Sequence, residues 1–399
     1  MRLYELLEKA AENAIFSQRP DGSLPGGHNG PYHDPETPVR NTAHWLVTFL
    51  KLYDVTGEER FVDAARDATD YLRSDEARPN RYTFFHRTEE TKNSCNGLIG
   101  QAWTIEALAV AADRLGDPEL ASLAEEVFLL HPFDEQLGLW KCVEIDGEIL
   151  AFDGTFNHQL WFAAAGGLLG RQSNVSKRVD RRVSTFLDMI ESNLGLYDLG
   201  LIKHGVRASY APGRSLRLLR NDRRGRLFFI QLIGRSSLTE VTILRELVEH
   251  PVFPLRRPPL TEEHLRRKAV GYHSFNMYAL ALLHQVYPDH QFWQRELFRR
   301  CYAYMRSSDY ETTIGESEYG FPYNPPGIEV PFALEVFEDE PDREVQERWL
   351  ARQFERCYDV EEHRMNENNP DPETLTARLY QASRLPDLRV RLDRPLQRS

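Results

Sequence analysis

The sequence predicts an all-α protein, an (α/α)6 toroid of six helical hairpins with small β-hairpin insertions. Three observations predict it. Helix–turn–helix units recur, with turns at Gly57, Gly116, Gln172, Gly234, Pro288 and Glu340. Their spacing, roughly 50–60 residues, exceeds the period of the common short solenoid repeats. The first helix of each pair is apolar almost all round and the second is amphipathic. A helix apolar on every side is buried, and a one-sided helix faces water, so six inner and six outer helices close into a ring. An open superhelix is the alternative, but it needs polar capping repeats, which are not seen.

The elements follow in order. MRLYELLEKAAENAIF is an amphipathic helix with charges throughout, so no signal peptide is expected. The first pair is WLVTFLKLYDV from Trp45 and TGEERFVDAARDATDYL from Thr56. The second is GLIGQAWTIEALAVAADRL from Gly97 and LGDPELASLAEEVFLL from Leu115. The third is NHQLWFAAAGGLL from Asn157 and GRQSNVSKRVDRRVSTFLDMI from Gly170. The fourth, the weakest, rests on GRSSLTEVTILRELVEH from Gly234. The fifth is SFNMYALALLHQVY from Ser274 with YPDHQFWQRELFRRCYAYM from Tyr287, and the sixth ends in EDEPDREVQERWLARQF from Glu338. The clearest outer helices carry Asp or Glu near the start, where the positive end of the helix dipole favours them. Residues 1–385 read as one barrel domain, and 386–399, rich in Arg, Asp and Pro, as a surface tail.

Composition narrows the function. The chain has 399 residues, 41% hydrophobic and 28% charged, with a net charge of −12. That charge argues against a nucleic-acid partner. The basic run Arg214–Arg226 reads as a solvated loop. No segment reaches the ~18 unbroken apolar residues of a membrane span. Cys95, Cys142, Cys301 and Cys357 form no CxxC pair, which predicts reduced thiols and a cytoplasmic protein. HExxH, GxGxxG and P-loop motifs are absent, so no cofactor is expected. His28, His33 and Asp34 could hold a metal, but the spacing is not that of a metal site, and none is expected.

In such a ring all inner helices run one way, so the segments preceding them meet at one mouth. GGHNGPYHDPETPVRNTAHW brings His28, Asn29, Tyr32, His33, Asp34, Glu36, Arg40, Asn41 and His44 there. The second inner helix adds Lys92, Asn93 and Asn96, with Gln101 and Trp103 one turn in, and the third adds Asp153, Asn157, His158 and Trp161. The fifth adds Tyr272, His273 and Asn276; the sixth adds Glu316, Glu318, Tyr319, Tyr323, Asn324 and Glu329. Asn, Asp and Ser are common helix caps, and each taken singly reads as one. Recurrence at five of six starts points instead to a ligand. Aromatic faces stack on sugar rings, while amides, carboxylates and arginine bind hydroxyls, so a carbohydrate substrate is expected.

AFDGTFNHQLWFAAAGGLL resembles the Asp-bearing third-inner-helix segment of the unsaturated-uronide hydrolases. The resemblance implies that Asp153 acts as general acid/base. HNGPYHDPETPVRNTAHW, CNGLIGQAW, FDGTFNHQLWFAAAG and GYHSFNMYA make the chain more similar to the glycosidase-like proteins encoded in archaeal N-glycosylation gene clusters, over residues 20–340. One position departs: where the uronide hydrolases carry a second Asp, this chain has Asn96, which cannot serve as a base.

Hydrolysis of an acidic oligosaccharide or glycan is therefore the first expectation. It needs two carboxyl groups, about 5–5.5 Å apart for retention or about 6.5–9.5 Å for inversion. Asp153 is the candidate acid, its pKa raised by desolvation beside Phe152 and Phe156. Glu329 is the first candidate partner, ahead of Glu316, Glu318, Asp34 and Glu36. Arg40 either clamps a sugar carboxylate or pairs internally with Asp34 or Glu36. Arg40, Asn41, His44, Asn96, Gln101, Trp103, Asn157, Trp161, Tyr272, His273, Asn276 and Tyr323 are the candidate substrate contacts. The rival enzyme is a cofactor-free sugar epimerase or isomerase with His158 and His273 as acid and base. The rival of another class is a non-catalytic glycan-binding protein.

Overall fold

The computed structural model describes residues 1–207 and 261–392. The inner helices are α2 (Val39–Thr56), α4 (Gly97–Leu115), α6 (Phe156–Leu169), α9 (His273–Val286) and α12 (Pro326–Phe337). The outer helices are α1 (Leu3–Ser17), α3 (Glu59–Arg73), α5 (Pro118–Leu130), α7 (Lys177–Asn193), α10 (Glu296–Met305) and α13 (Arg343–Cys357). Shorter helices are α8 (Glu262–Gly271), α11 (Ser308–Thr313) and α14 (Pro372–Ala377).

Packing runs α2 to α4 to α6 to α9 to α12, and the 3-10 segment Arg378–Arg384 after α14 closes the ring between α12 and α2. This is the (α/α)6 barrel, with a different assignment of its later members. The helix opening at His273 packs directly on α6, so it is the fourth wall and α12 the fifth. The sixth is residues 372–384, backed on the outside by α1. The hairpin expected at Gly234 lies outside the described residues, as does the basic run Arg214–Arg226.

The local reasons for the ring are those of helix chemistry. α2 and α4 each stop at a left-handed residue, Gly57 (φ 71°) and Gly116 (φ 64°), whose N–H returns to Tyr53 O and Ala112 O. Glycine adopts that conformation without a Cβ penalty. Outer helices start on side-chain caps: Asp117 for α5, Ser176 for α7 and Asp342 for α13. α6 is buried on nearly every side, whereas α3 buries one face through Phe61, Ala65, Ala68 and Leu72. Each large apolar side chain so buried contributes about 1.5–3 kcal/mol.

One insertion shapes the site. Between α5 and α6 the chain forms an antiparallel sheet of β1 (Phe133–Asp134), β2 (Leu139–Val143) and β3 (Ile149–Phe152), in that order. Lys141 pairs with Phe152 and Val143 with Ile149, with an irregularity between them. The sheet delivers Asp153 to the start of α6. All four cysteines are buried free thiols.

The stretch after Leu385, expected as a surface tail, is held down in its described part. Leu388 and Val390 are buried. Leu3 N–H donates to Leu388 O, Val390 N–H donates to Met1 O, and Arg2 pairs with Asp387 at 2.9 Å. Among the described residues no helix is long and apolar enough to cross a membrane.

Candidate active site

Two adjoining cavities lie at the mouth, of about 640 Å³ and about 180 Å³. They share Arg87, Lys92, Asn96, Thr155, His158 and His204 in their walls. The smaller one is bounded by the starts of α4, α6 and α9 and by the segments preceding α2 and α12.

Asp153 and His158 form the centre. His158 Nδ1 lies 2.8 Å from Asp153 Oδ2, and a quarter of the His158 side chain is exposed. Asp153 Oδ2 also accepts from Leu98 N–H at 3.1 Å, and Oδ1 from Thr155 N–H at 3.0 Å. Leu98 belongs to the first turn of α4, so the carboxylate sits on the positive end of that helix. The Cys142 thiol adds a longer contact at 3.6 Å. Room for the pair comes from Gly97, at φ +60°: a Cβ there would meet Asp153 Oδ2 at 2.6 Å and His158 Nδ1 at 3.2 Å.

These contacts reverse the expected ionisation of Asp153. Burial does push its pKa up, but His158 and the two backbone N–H groups outweigh burial and pull it down to about 2. A carboxyl held at that value is ionised at neutral pH and is a poor proton donor. What it can do is hold His158 in the tautomer with hydrogen on Nδ1, leaving Nε2 to exchange a proton.

Arg87 and Lys92 supply positive charge. Lys92 Nζ bridges both Asp34 oxygens at 2.5 and 2.7 Å. Arg87 Nη1 reaches Asn96 Oδ1 at 3.1 Å, and its Nε and Nη2 hold Asn93. Lys268 Nζ stands 5.0 Å over the Tyr32 ring and 5.8 Å over that of Tyr272, a cation–π arrangement.

Of the residues expected from sequence, Asp153, His158, Asn96, Asn157, Trp103, Tyr272 and Tyr323 line these cavities. Asn96 takes the N-cap position of α4 at φ 53° but makes no side-chain cap bond. Tyr272 and Tyr32 share a 2.8 Å hydroxyl contact, and Tyr323 donates to Asn29 Oδ1 at 2.7 Å.

Asp34 lines the smaller cavity as well, held by Lys92; the remaining candidate catalytic and substrate-contact residues line neither. Glu329 has no exposed side-chain surface and pairs with Arg378 at 2.8 Å and Ser274 at 2.7 Å. Burial raises its pKa to about 7, against the opposing pull of Arg378. Glu316 and Glu318 are exposed and line neither cavity. Arg40 pairs with Glu36 at 3.1 Å, both side chains fully buried, so the internal ion pair displaces the sugar clamp. Trp103 lies 4.0 Å beneath the Arg40 guanidinium.

His273 cannot be half of an acid–base pair. Its Nδ1 accepts from Ile202 N–H and its Nε2 donates to Cys301 O. Burial lowers its pKa to about 4. His44 stacks on Tyr380 at 4.2 Å and is buried. Asn41 donates to Pro25 O, Gln101 brackets Phe84, Trp161 Nε1 donates to Phe275 O, and Asn276 donates to Tyr272 O. The first two hold loops in place, Trp161 ties α6 to α9, and Asn276 closes the first turn of α9. Asp34 is taken by Lys92 and Arg87, and among the described residues no cluster of His, Cys, Asp or Glu is arranged for a metal.

Sequence reading missed Arg87, His204 and Lys268 as site residues. Arg87 lies a few residues ahead of Lys92 in the connection into α4, and His204 lies far from any inner-helix start; neither carries a local signal. Lys268 did offer one: it lies one helical turn before Tyr272.

No family model matches the chain. It is 44% identical over 391 residues to archaeal glycosylation protein Q of Haloferax volcanii, across 98% of this chain and 99% of that protein. Its fold is similar to cellobiose 2-epimerase from Bacillus thermoamylovorans (TM-score 0.61, 12% identity, 95% and 98% of the two chains). It is also similar to an unsaturated glucuronyl hydrolase specific for heparin (0.56, 11%, 96% and 95%). An α-1,6-mannanase variant from a Salegentibacter species matches with TM-score 0.54 at 10% identity, over 96% and 98%. At such identities the likeness is one of fold.

Proposed function

The chain belongs to the family of archaeal glycosylation protein Q, and on that premise we propose that it is an enzyme processing a sugar of an acidic oligosaccharide or glycan by general acid–base proton transfer. The observation that carries this reading is the 2.8 Å contact of an ionised Asp153, in the wall of the larger cavity, with His158, in the wall of both. Cofactor-free epimerisation or isomerisation fits it best. His158 takes a proton from a sugar carbon activated by a neighbouring carbonyl. His204, which lines the same two cavities, is the group placed to return one. Arg87, Lys92 and Lys268 outnumber the one carboxylate, Asp34, in the wall of the small cavity, which favours an anionic sugar.

Hydrolysis is the second reading, favoured by one observation. Asp153 is an ionised carboxylate in the wall of the larger cavity, which suits a nucleophile or base and not the acid first expected. It needs a protonated partner carboxyl, and Glu329, buried against Arg378, does not line either cavity. We place the enzyme in the cytoplasm; a purely glycan-binding role is the rival that the following experiment decides. Oligosaccharides rich in uronic acids are incubated with the protein in deuterium oxide and, separately, in heavy-oxygen water, then read by mass spectrometry. Deuterium on a sugar carbon without cleavage, lost in His158→Asn, supports proton transfer. Heavy oxygen in cleavage products, lost in Asp153→Asn, establishes hydrolysis instead. No label with binding intact leaves a glycan-binding protein.

A further inference from the structure

Asn96 and Asn157 stand at the starts of α4 and α6, and both line the smaller cavity. They are 4% and 1% exposed. Each carries a buried polar atom that meets no hydrogen-bond partner: Nδ2 of Asn96 and Oδ1 of Asn157. A buried polar group left so costs about 1–3 kcal/mol; such atoms also occur at Asn41, His44 and Asn276, and what sets these two apart is their place in the wall of a cavity. The two atoms have opposite character, one a donor and one an acceptor. The Asn96 amide is also oriented, because Arg87 Nη1 holds its Oδ1 at 3.1 Å. Trp103, Tyr272 and Phe275 give the same cavity aromatic walls. Phe275 is backed by the Arg378 guanidinium at 4.8 Å, so the far side is closed by the sealed Glu329–Arg378 pair.

We propose that the smaller cavity seats one terminal sugar ring, with Asn96 donating to one hydroxyl and Asn157 accepting from another, and that the larger cavity takes the rest of the oligosaccharide. The proposal rests on the sugar reading above and goes beyond it in naming the end of the chain as the point of attack and these two amides as the residues that select the ring. His158, in the wall of both cavities, then faces the seated ring at the boundary between it and its neighbour.

The test is binding, which needs no turnover. D-glucose, D-mannose, D-galactose and D-glucuronate are titrated against the wild-type protein, Asn96→Asp, Asn157→Leu and Asn157→Asp by ligand-observed NMR and calorimetry, with each variant's melting temperature recorded. At least one monosaccharide binds the wild type. Asn96→Asp, close in shape but lacking the N–H donor, weakens that binding roughly ten-fold, as does Asn157→Leu. Asn157→Asp, which keeps an acceptor oxygen, stays within about three-fold. Binding unchanged in both Asn96→Asp and Asn157→Leu overturns the proposal, as does a wild type that binds none of the four. Deuterium labelling that persists in those two variants sinks the subsite while leaving the proton-transfer reading intact. Amide-dependent binding without any label does the reverse.

Discussion

Asp153 and Glu329 are both buried carboxylates near the mouth ends of inner helices, yet their surroundings drive them in opposite directions. Asp153 accepts from Leu98 N–H, Thr155 N–H and His158, and is held at about 2. Glu329 has one guanidinium and one hydroxyl in a sealed interior, and burial lifts it to about 7. A close imidazole backed by two backbone N–H groups can outweigh desolvation, whereas one buried ion pair need not. A raised pKa is often read as the mark of a catalytic group. Here the raised carboxyl lines neither of the two cavities at the mouth, and the lowered one lines the larger.

The largest effect that separates the two corners is on turnover. Replacing His158 with Asn should cost about 10²–10⁴ in rate of the labelling reaction, measured by deuterium incorporation. Asp153→Asn should also cripple it, while Glu329→Gln leaves turnover per folded molecule near wild type. Full activity in His158→Asn would shift the chemistry away from this corner.

Stability comes next. Arg378→Met leaves Glu329 buried without its counter-ion and should cost about 3–5 kcal/mol, seen as a lowered midpoint in denaturant unfolding. A change within about 0.5 kcal/mol would mean that the pair is not a closed unit.

The pH dependence then gives the two carboxyls opposite signs. Asp153 falls from 3.8 unfolded to about 2 folded, worth about 2 kcal/mol. That stability is present above pH 4 and lost as pH falls through 2. Glu329 rises from 4.5 to about 7, so its contribution is greatest below pH 4.5 and is lost as pH rises through 7. Unfolding free energies measured across this range should lose the acid limb in Asp153→Asn and the neutral limb in Glu329→Gln. Identical profiles for the two variants would refute the contrast.

The smallest effect is at Gly97. A Cβ at φ +60° costs about 1–2 kcal/mol and would press on Asp153 and His158. Gly97→Ala should therefore lower the melting temperature modestly and reduce labelling more than stability alone explains. Gly57→Ala is the control, since it has the same backbone sign, φ +71°, with open space around it.

Much of the ring was legible. Turns at Gly57, Gly116, Gln172, Pro288 and Glu340 all fall between an inner and an outer helix, because left-handed glycines, caps and all-round apolarity are local signals. The closing wall was not legible. Residues 372–384 are a short helix and a 3-10 segment that include Arg378 and Gln381, and nothing in their periodicity marks an inner helix. Arg378 is buried there with Glu329, Asn324, Tyr323 O and Gln381 to meet its guanidinium.

By itself the sequence determined the repeated hairpins, the gathering of polar residues at one mouth, and the placing of Asp153 and His158 together at the start of the third inner helix. Those follow from spacing along a single chain. The tertiary structure alone decided what each group became. Leu98 arrives from another helix to add its N–H to the hold that His158 has on Asp153, Ile202 and Cys301 take both nitrogens of His273, and Arg378 seals Glu329. Protonation and access depend on donors and desolvation supplied by residues far away in the chain, and local pattern carries no record of them.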